Sequence, residues 1–335
     1  MHIQNNISLK PYNTFGIDVN AKQFIAITSI DELKQLLKQQ KDFFVLGGGS
    51  NILLTKDIEK LVVHIAFKGI EIVEENDNHV IVKAAAGENW HQFVLWCINN
   101  DFGGVENMSL IPGNVGTAPI QNIGAYGVEL KDTCISVEAV EIATGNTKTF
   151  SNTECEFGYR NSVFKNEWKG KYIITNVFFR LTKNKHILNS SYGAIQSELE
   201  KNGITTPTLK NISDAVITIR QSKLPDPAIL GNSGSFFKNP VISSSEFKEL
   251  QEKFTNAPHY KVSETEIKVP AGWLVEQCGF KGKRIGNTGS HKNQALVLVN
   301  YGNATGKEVY ELSKLIQKTV LAKFGIAIEA EVNII

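Results

Sequence analysis

Residues 111–127 constrain the fold of this chain more than any other segment. Their sequence, IPGNVGTAPIQNIGAYG, is rich in glycine, amides and small side chains, and the first charged residue after it is Glu129. Its length and its many glycines indicate a loop. A surface loop normally carries Lys, Glu or Asp. The composition therefore favours an ordered loop against a large flat cofactor over an ordinary polar surface loop.

A second glycine run, GGGSN at residues 47–51, lies between the apolar segments FFVL and ILL. This pattern predicts strand, loop, strand. Consecutive backbone N–H groups with little side-chain obstruction can wrap a pyrophosphate, and Ser50 and Asn51 add short polar arms. The run lacks GxGxxG spacing and does not lead into a clear helix, which argues against a Rossmann fold and a P-loop. Taken alone, a glycine turn between strands is the simpler interpretation.

Hydrophobic periodicity predicts helices and strands in an irregular order. The predicted helices begin behind a cap at Thr28 or Ser29, at Trp90 with an end at Gly103 and Gly104, and after Thr305. The predicted strands lie at residues 23–27, 61–67, 71–73, 79–85, 136–142, 173–181 and 326–334. Because the elements do not alternate as βαβ units, we predict an α+β fold.

Charge and composition exclude several classes of protein. Lys and Arg number 35 and Asp and Glu 34, so the net charge of +1 gives no general attraction to nucleic acid or to an anionic membrane. The four cysteines form no CxxC pair and are expected to be buried reduced thiols. The histidines form no HxH or HExxH array, so no metal site is predicted. With no signal peptide or long apolar span, we expect a soluble cytoplasmic protein.

Together, VLGGGSNILL and IPGNVGTAPIQNIGAYGVELKD resemble the flavin-binding domain of the UDP-N-acetylenolpyruvoylglucosamine reductase family. Further matches follow in the family's order and span essentially the whole chain: NTFGI, FGYRNSVFK, SKLPDPAILGNSGSFFKNP, VPAGWLVEQCGFKG, HKNQALVLVN and EAEVNI. The resemblance implies an FAD-binding domain of the vanillyl-alcohol-oxidase/PCMH type, with two α+β subdomains, and a C-terminal α+β substrate-binding domain. We expect the first subdomain at residues 1–68, completed by a terminal strand at 325–335, the second at 69–224 and the substrate domain at 225–324.

The activity that the resemblance implies is the NADPH-dependent, FAD-mediated reduction of UDP-N-acetylglucosamine enolpyruvate to UDP-N-acetylmuramate in peptidoglycan synthesis. Hydride would pass from flavin N5 to the substrate, and Ser235 would donate the proton. Arg160 and Glu331 would stabilise the enediolate-like intermediate. A guanidinium suits this role because its planar fork is permanently charged and can meet two oxygens. A serine hydroxyl is a poor acid, so Lys223, Lys238 or Asn239 would assist it.

The family's binding residues carry over to matching positions here. For FAD they are Gly47, Gly48, Gly49, Ser50, Asn51, Ile52, Thr117, Ala118, Gln121, Asn122, Gly124, Ala125, Gly127 and Arg220. For the substrate they are Tyr192, Lys223, Asn239 and Gln294. Tyr192 resembles a tyrosine on a loop that closes over substrate in one structural type of the family. A monomer without macromolecular partners is expected.

The residues alone leave alternatives open. Arg160 could form a surface ion pair, and Ser235 could be a turn or cap serine. A serine hydrolase is disfavoured because GNSGS lacks the GxSxG spacing. Glu331 could be a solvated strand residue, with Glu329 on the same face. Two other functions remain: an FAD-dependent alcohol or aldonolactone oxidase of the same flavin fold, and a non-catalytic sugar-nucleotide sensor.

Overall fold

The computed structural model describes residues 2–335, which contain seven α-helices and twenty strands. The helices are α1 (Ile30–Gln39), α2 (Trp90–Asn99), α3 (Gly193–Lys201), α4 (Leu209–Lys223), α5 (Ser244–Lys253), α6 (Ala271–Gln277) and α7 (Gly306–Phe324). The strands are β1 (Gln4–Ser8), β2 (Asn20–Ile27), β3 (Phe43–Leu46), β4 (Ile52–Leu53), β5 (Ile58–Ile65), β6 (Ile70–Glu75), β7 (His79–Ala85), β8 (Gly124–Ala125), β9 (Val128–Glu129), β10 (Cys134–Glu141), β11 (Thr147–Ser151), β12 (Tyr172–Thr182), β13 (Gly231–Ser235), β14 (Val241–Ser243), β15 (Tyr260–Lys261), β16 (Glu266–Lys268), β17 (Arg284–Ile285), β18 (Thr288–Ser290), β19 (Val297–Asn300) and β20 (Asn333–Ile334).

The chain divides into two compact units, each made of several segments. The first contains the residues up to Ile7, Ala21–Gly48 and Ile58–Arg220, and the second contains Ser8–Asn20, Gly49–Asp57 and Gln221–Ile335. The boundary between Gly48 and Gly49 falls inside the first glycine run. The three-part division expected from the sequence, at residues 68, 224 and 324, stays a prediction.

In the first unit, one sheet has the order β1-β2-β5-β3, and β2 and β3 both pair with β5 in parallel. Helix α1 begins where the sequence predicts, because the Ser29 hydroxyl accepts a hydrogen bond from the Glu32 backbone N–H at 3.2 Å. Its apolar positions Leu33, Leu36 and Leu37 are buried in the same core cluster as the strands. Their helical spacing places these side chains on one face of α1, and that face covers the parallel strands.

The other large sheet of the first unit is antiparallel, with the order β11-β10-β12-β7-β6. Helix α2 packs on the same core, and the Phe93 and Phe179 ring centroids are 4.6 Å apart. The helix ends at Asn99 rather than at the predicted glycines 103 and 104. The Asn100 side chain donates to the Trp96 carbonyl, and Asp101 adopts a left-handed φ of 57°, which together end the helix early.

The second unit contains a sheet of order β13-β19-β18-β17, a three-stranded sheet β14-β16-β15 and the parallel pair β20-β4. Helix α7 starts with a capping box, in which the Thr305 hydroxyl accepts from the Glu308 N–H and the Glu308 carboxylate accepts from the Thr305 N–H. This confirms the helix predicted after Thr305. The segment SKLPDPAILGNSGSFFKNP contains β13, which lies at the edge of its sheet.

The alternating segment 326–334 forms much less strand than predicted. Only Asn333–Ile334 is assigned to β20. Ile326, Ile328 and Val332 are buried as the alternation requires, whereas Ile334 is exposed. An isolated bridge joins Ala330 to Phe237. The alternation thus identifies the buried face, while pairing with several short segments prevents a long strand.

Three of the cysteines, Cys97, Cys134 and Cys155, are buried as predicted, whereas Cys278 is partly exposed. Burial raises the pKa of the Cys155 thiol to about 12 and also raises the pKa of Cys134 and Cys97. The helices within residues 2–335 lack the combination of length and hydropathy that a membrane span requires.

Candidate active site

Within the first unit, the start of the GGGSN run lies directly against the second glycine segment. A Cβ placed on Gly47 would lie 2.6 Å from Thr117 Cγ2, and one on Gly48 would lie 2.7 Å from Asn114 Oδ1. A side chain at either position would therefore require the Thr117 or Asn114 side chain to move. The two segments that the sequence singles out for cofactor binding therefore come together, and their backbones approach closely.

The second glycine segment is an ordered scaffold. It contains short 3-10 turns at Val115–Thr117 and Pro119–Gln121, and Asn122 then adopts a left-handed φ of 44°. The fully buried Asn122 amide donates to Glu129 Oε2 at 3.0 Å and to the Gly158 carbonyl at 3.1 Å. Its Oδ1 accepts from the backbone N–H of Lys131. The Asn122 side chain thus holds the segment in shape rather than pointing outward.

Arg160 is positioned by a tight turn in the first unit. Its φ is 52°, in the left-handed region, and its Nη2 donates to the Gly124 carbonyl at 3.0 Å. Lys165 Nζ in turn donates to the Arg160 carbonyl at 2.9 Å. The guanidinium is therefore fixed to the second glycine segment at a residue predicted to contact FAD.

Arg220, on α4 in the same unit, is a buried cation without full compensation. Its Nε is buried and has no hydrogen-bond partner among residues 2–335. Burial lowers the pKa of Arg220, the nearby Tyr126 opposes this, and the positive charge of Arg160 lowers the pKa further. A guanidinium remains charged in proteins. The arrangement therefore favours an anionic ligand at this position.

Two tyrosines complete this cluster in the first unit. The Tyr126 and Tyr192 rings meet edge to face, with centroids 5.4 Å apart and an interplanar angle of 88°. Burial raises the pKa of Tyr126, while the charge of Arg220 acts in the opposite direction. Tyr126 was not among the predicted site residues, and the signal for it was present: it is the only aromatic residue in the segment 111–127.

In the second unit, backbone pairing brings Ser235 close to Glu331. The Glu331 N–H donates to the carbonyl of Phe236, the residue after Ser235, at 2.8 Å. The Asn51 side chain donates to the Glu331 carbonyl at 3.4 Å, and the Asn333 N–H donates to the Asn51 carbonyl at 3.1 Å. Three predicted residues from distant parts of the sequence, Asn51, Ser235 and Glu331, thus share one neighbourhood within this unit.

The two acidic residues Glu329 and Glu331 lie in different environments. Glu329 is highly exposed and forms an ion pair with Lys238 at 3.3 Å. Glu331 is partly buried beside Asn51. Because Lys238 compensates Glu329, the two carboxylates are not equivalent, and Glu331 is the one that lies next to the Ser235 strand.

Two of the predicted substrate residues, Asn239 and Gln294, meet at the start of α6. Asn239 Oδ1 accepts from the Ala271 N–H at 2.9 Å, and Gln294 Oε1 lies 3.2 Å from the Cβ position of Gly272. Lys223 is exposed at the end of α4, where its backbone carbonyl accepts a hydrogen bond from the His291 ring. Asn239 therefore has a structural role as a partner of the helix N-terminus, in addition to any role toward a ligand.

Gly49 has a φ of 59° and lies against the backbone of the second unit, so a residue with a side chain does not fit at this position. A Cβ at this position would lie 2.0 Å from the Tyr12 carbonyl oxygen and 2.9 Å from Asn13 Cα. The Thr14 N–H donates to the Gly49 carbonyl at 3.1 Å, so the contact is part of the fold.

We expect Gly49→Ala to lower the free energy of unfolding by about 3 kcal/mol or more, because strain and steric overlap with backbone add together. Urea denaturation measures this change. Gly16→Ala is a matched control, since Gly16 has a φ of 62° but an added Cβ meets nothing within 4 Å, and left-handed strain alone costs about 1–2 kcal/mol. Equal losses for the two variants would contradict the close contact at Gly49.

Comparison with known proteins gives a consistent result over the whole chain. Residues 226–335 match the C-terminal domain of UDP-N-acetylenolpyruvoylglucosamine reductase, and residues 21–151 match an FAD binding domain. The chain is 64% identical to UDP-N-acetylenolpyruvoylglucosamine reductase from Flavobacterium johnsoniae, with 100% of both chains covered. It is 47% identical to the Chromobacterium violaceum protein of the same name, covering 99% of this chain and 98% of the relative.

A solved structure supports the fold. UDP-N-acetylenolpyruvylglucosamine reductase from Thermus caldophilus superposes with a TM-score of 0.71 at 22% identity, covering 100% of this chain and 99% of the other. The α+β fold with an FAD-binding domain, predicted from the sequence, is confirmed. On the identity to full-length relatives, the chain belongs to the UDP-N-acetylenolpyruvoylglucosamine reductase family.

Proposed function

We propose that this protein reduces UDP-N-acetylglucosamine enolpyruvate to UDP-N-acetylmuramate, a step of peptidoglycan synthesis, with NADPH as the reductant and FAD as the bound cofactor. The substrate gains two electrons and two hydrogens across its enolpyruvyl double bond, and NADPH becomes NADP. The observation that carries the proposal is the backbone hydrogen bond that joins Glu331 to Phe236, the residue after Ser235, in a chain of this family.

The described residues fit a flavin dinucleotide. Gly47 and Gly48 lie so close to the Thr117 and Asn114 side chains that a larger residue at either position would displace those side chains. The buried Arg220 Nε is a donor without a partner among residues 2–335, as a phosphate-binding group would be before its ligand arrives. FAD, when bound, would carry electrons from NADPH to the substrate. The residues that would hold it are Gly47 to Ile52, Thr117, Ala118, Gln121, Asn122, Gly124, Ala125, Gly127 and Arg220.

In the second unit, Ser235 would donate a proton to the substrate carbon next to the carboxylate. Its side chain is exposed at the end of β13, while the following Phe236 and Phe237 are buried and fix the strand. Glu331 would act beside it, and its backbone is held because its N–H donates to the Phe236 carbonyl and its carbonyl accepts from the Asn51 side chain. A hydroxyl and a carboxylate carried on fixed backbone segments suit proton transfer because those segments need not rearrange during the reaction.

In the first unit, Arg160 would stabilise the negative charge that develops on the substrate carboxylate. The hydrogen bond from Nη2 to Gly124 holds the guanidinium in one orientation. Preorganised cationic donors are effective because they need no rearrangement when charge develops. Tyr192, together with Lys223, Asn239 and Gln294, would contact the sugar nucleotide.

The proposal is tested by separating the two half-reactions under anaerobic conditions. Flavin absorbance is followed first on mixing with NADPH and then on adding the enolpyruvyl sugar nucleotide. We expect bleaching in the first step, reoxidation in the second, and UDP-N-acetylmuramate as the product. Reoxidation by oxygen but not by the sugar nucleotide would instead indicate an oxidase. Sugar-nucleotide binding without any flavin reduction would indicate a sensor, and either result would overturn the proposal.

A further inference from the structure

We propose that Asn107 is a positioning residue for the Tyr126–Tyr192 pair. It acts through the backbone of these two segments and not by contact with a ligand. The proposal deepens the function above and rests on it in one respect, namely that Tyr192 contacts the sugar nucleotide. All the residues concerned belong to the first unit.

Asn107 is fully buried in the short 3-10 turn Glu106–Met108. Its Nδ2 donates to the Tyr126 carbonyl at 3.1 Å and to the Asn189 carbonyl at 2.8 Å. Its Oδ1 has no hydrogen-bond partner within residues 2–335. A buried amide oxygen without a partner is unfavourable. Because both contacts are made by one NH₂ group, this side chain joins two segments that are distant in sequence.

The two carbonyls lie where they determine the tyrosine geometry. Tyr126 itself supplies one of them and has a φ of 50°, a conformation that needs support from its surroundings. Asn189 supplies the other, three residues before Tyr192, which stands at the N-terminal end of α3. Without the Asn107 amide, both segments would lose a shared anchor. The edge-to-face contact of the Tyr126 and Tyr192 rings depends on the positions of both segments.

A second anchor of the Tyr192 segment lies farther from the tyrosine. The His186 Nδ1 and the Thr182 Oγ1 are hydrogen-bonded at 2.7 Å. The Asn189 side chain also donates weakly to the Gly127 carbonyl, at 3.4 Å. The contact from Asn107 to the Asn189 carbonyl is shorter than the contact between Asn189 and Gly127. It is also closer to Tyr192 in sequence than the contact between His186 and Thr182. It is therefore the contact that we expect to restrict Tyr192.

Ser109 provides a matched control for a purely structural role. It is as buried as Asn107 and lies two residues away. Its hydroxyl donates to the Glu106 carbonyl at 2.7 Å and is hydrogen-bonded to the Ser213 hydroxyl at 2.8 Å. Neither partner belongs to the Tyr126 or Tyr192 segment. Ser109→Ala should therefore lower the melting temperature without changing the tyrosine pair.

The kinetic test compares Asn107→Ala with Ser109→Ala. For Asn107→Ala we expect KM for the sugar nucleotide to rise about tenfold, the equivalent of one lost hydrogen bond. We expect kcat and the rate of flavin reduction by NADPH to change little. Ser109→Ala should leave all three near wild type. Asn107→Ser, which is too short to reach both carbonyls, serves if the alanine variant does not fold.

A spectroscopic test reports positioning independently of activity. A nitroxide is attached at Ser191→Cys, beside Tyr192, in a Cys278→Ser background, because the other three cysteines are buried. Asn107→Ala should make the label more mobile by electron paramagnetic resonance, and Ser109→Ala should not. Unchanged label mobility in Asn107→Ala, or an equal KM rise in both variants, would overturn the proposal. If wild-type protein did not reduce the sugar nucleotide, the proposed function would fail while the label mobility still tested Asn107.

Discussion

Ser235→Ala is expected to leave the reduction of flavin by NADPH unchanged and to slow reoxidation by the enolpyruvyl sugar nucleotide by about 10²–10⁴-fold, the usual contribution of a positioned proton donor. Only the second half-reaction consumes a proton at carbon, so the two steps separate. Stopped-flow absorbance of the flavin, read in each half-reaction, measures both rates.

Ser233→Ala is the matched control for this experiment. Ser233 lies in the same strand but is buried, and its hydroxyl is within 3.3 Å of the Thr14 hydroxyl and 3.4 Å of the Ile52 carbonyl oxygen. Its loss should affect stability more than the second half-reaction. If Ser235→Ala reoxidised at the wild-type rate, or if Ser233→Ala were equally slow, Ser235 would not be the proton donor.

Arg160→Lys is expected to lower kcat by about 10²–10³-fold, the range observed when one charge-stabilising donor is removed. Lysine keeps the charge but concentrates it at one flexible point, so it cannot reproduce a planar fork held by the Gly124 carbonyl. Both residues are non-glycine, so the strain of the left-handed φ is the same in the two proteins. Steady-state kinetics with saturating sugar nucleotide measures the effect.

Arg180→Lys is the control for the same chemical change elsewhere in the first unit. Arg180 is exposed on β12 and has not been assigned a role in the reaction. Its substitution should leave kcat near wild type. A kcat for Arg160→Lys within about threefold of wild type, well below the expected loss, would show that a fixed fork is not needed.

The sequence predicted those parts of the fold whose signals are local. Helix α1 and helix α7 were found because each combines a capping residue with apolar side chains at helical spacing. Helix α4 was not predicted, although it carries Arg220. Its sequence contains Ile212, Val216, Ile217, Thr218 and Ile219, which are β-branched and favour strands by propensity. Packing of α4 against α3 overrides this preference.

In the candidate site, too, only the features with a local sequence signal could be predicted. The glycine segments could be recognised because their composition is unusual, but their close approach at Gly47 and Thr117 could not be read from either one. Asn107 contacts residues 19 and 82 positions away and has no local pattern that would distinguish it from a turn asparagine. Contacts of this kind are set by topology, and a single sequence does not display them.

The pairing of β4 with β20 has a consequence for biosynthesis. The Asn51 amide reaches Glu331 across 280 residues of chain, and the Ile52–Leu53 strand pairs with Asn333–Ile334. Such distant pairing is slow because a long loop must close before any contact is gained. While the ribosome is still translating the middle of the message, the Ile52–Leu53 strand lacks its partner strand. The second unit therefore matures late, and chaperones that shield exposed strand edges have a long interval in which to act on the nascent polypeptide.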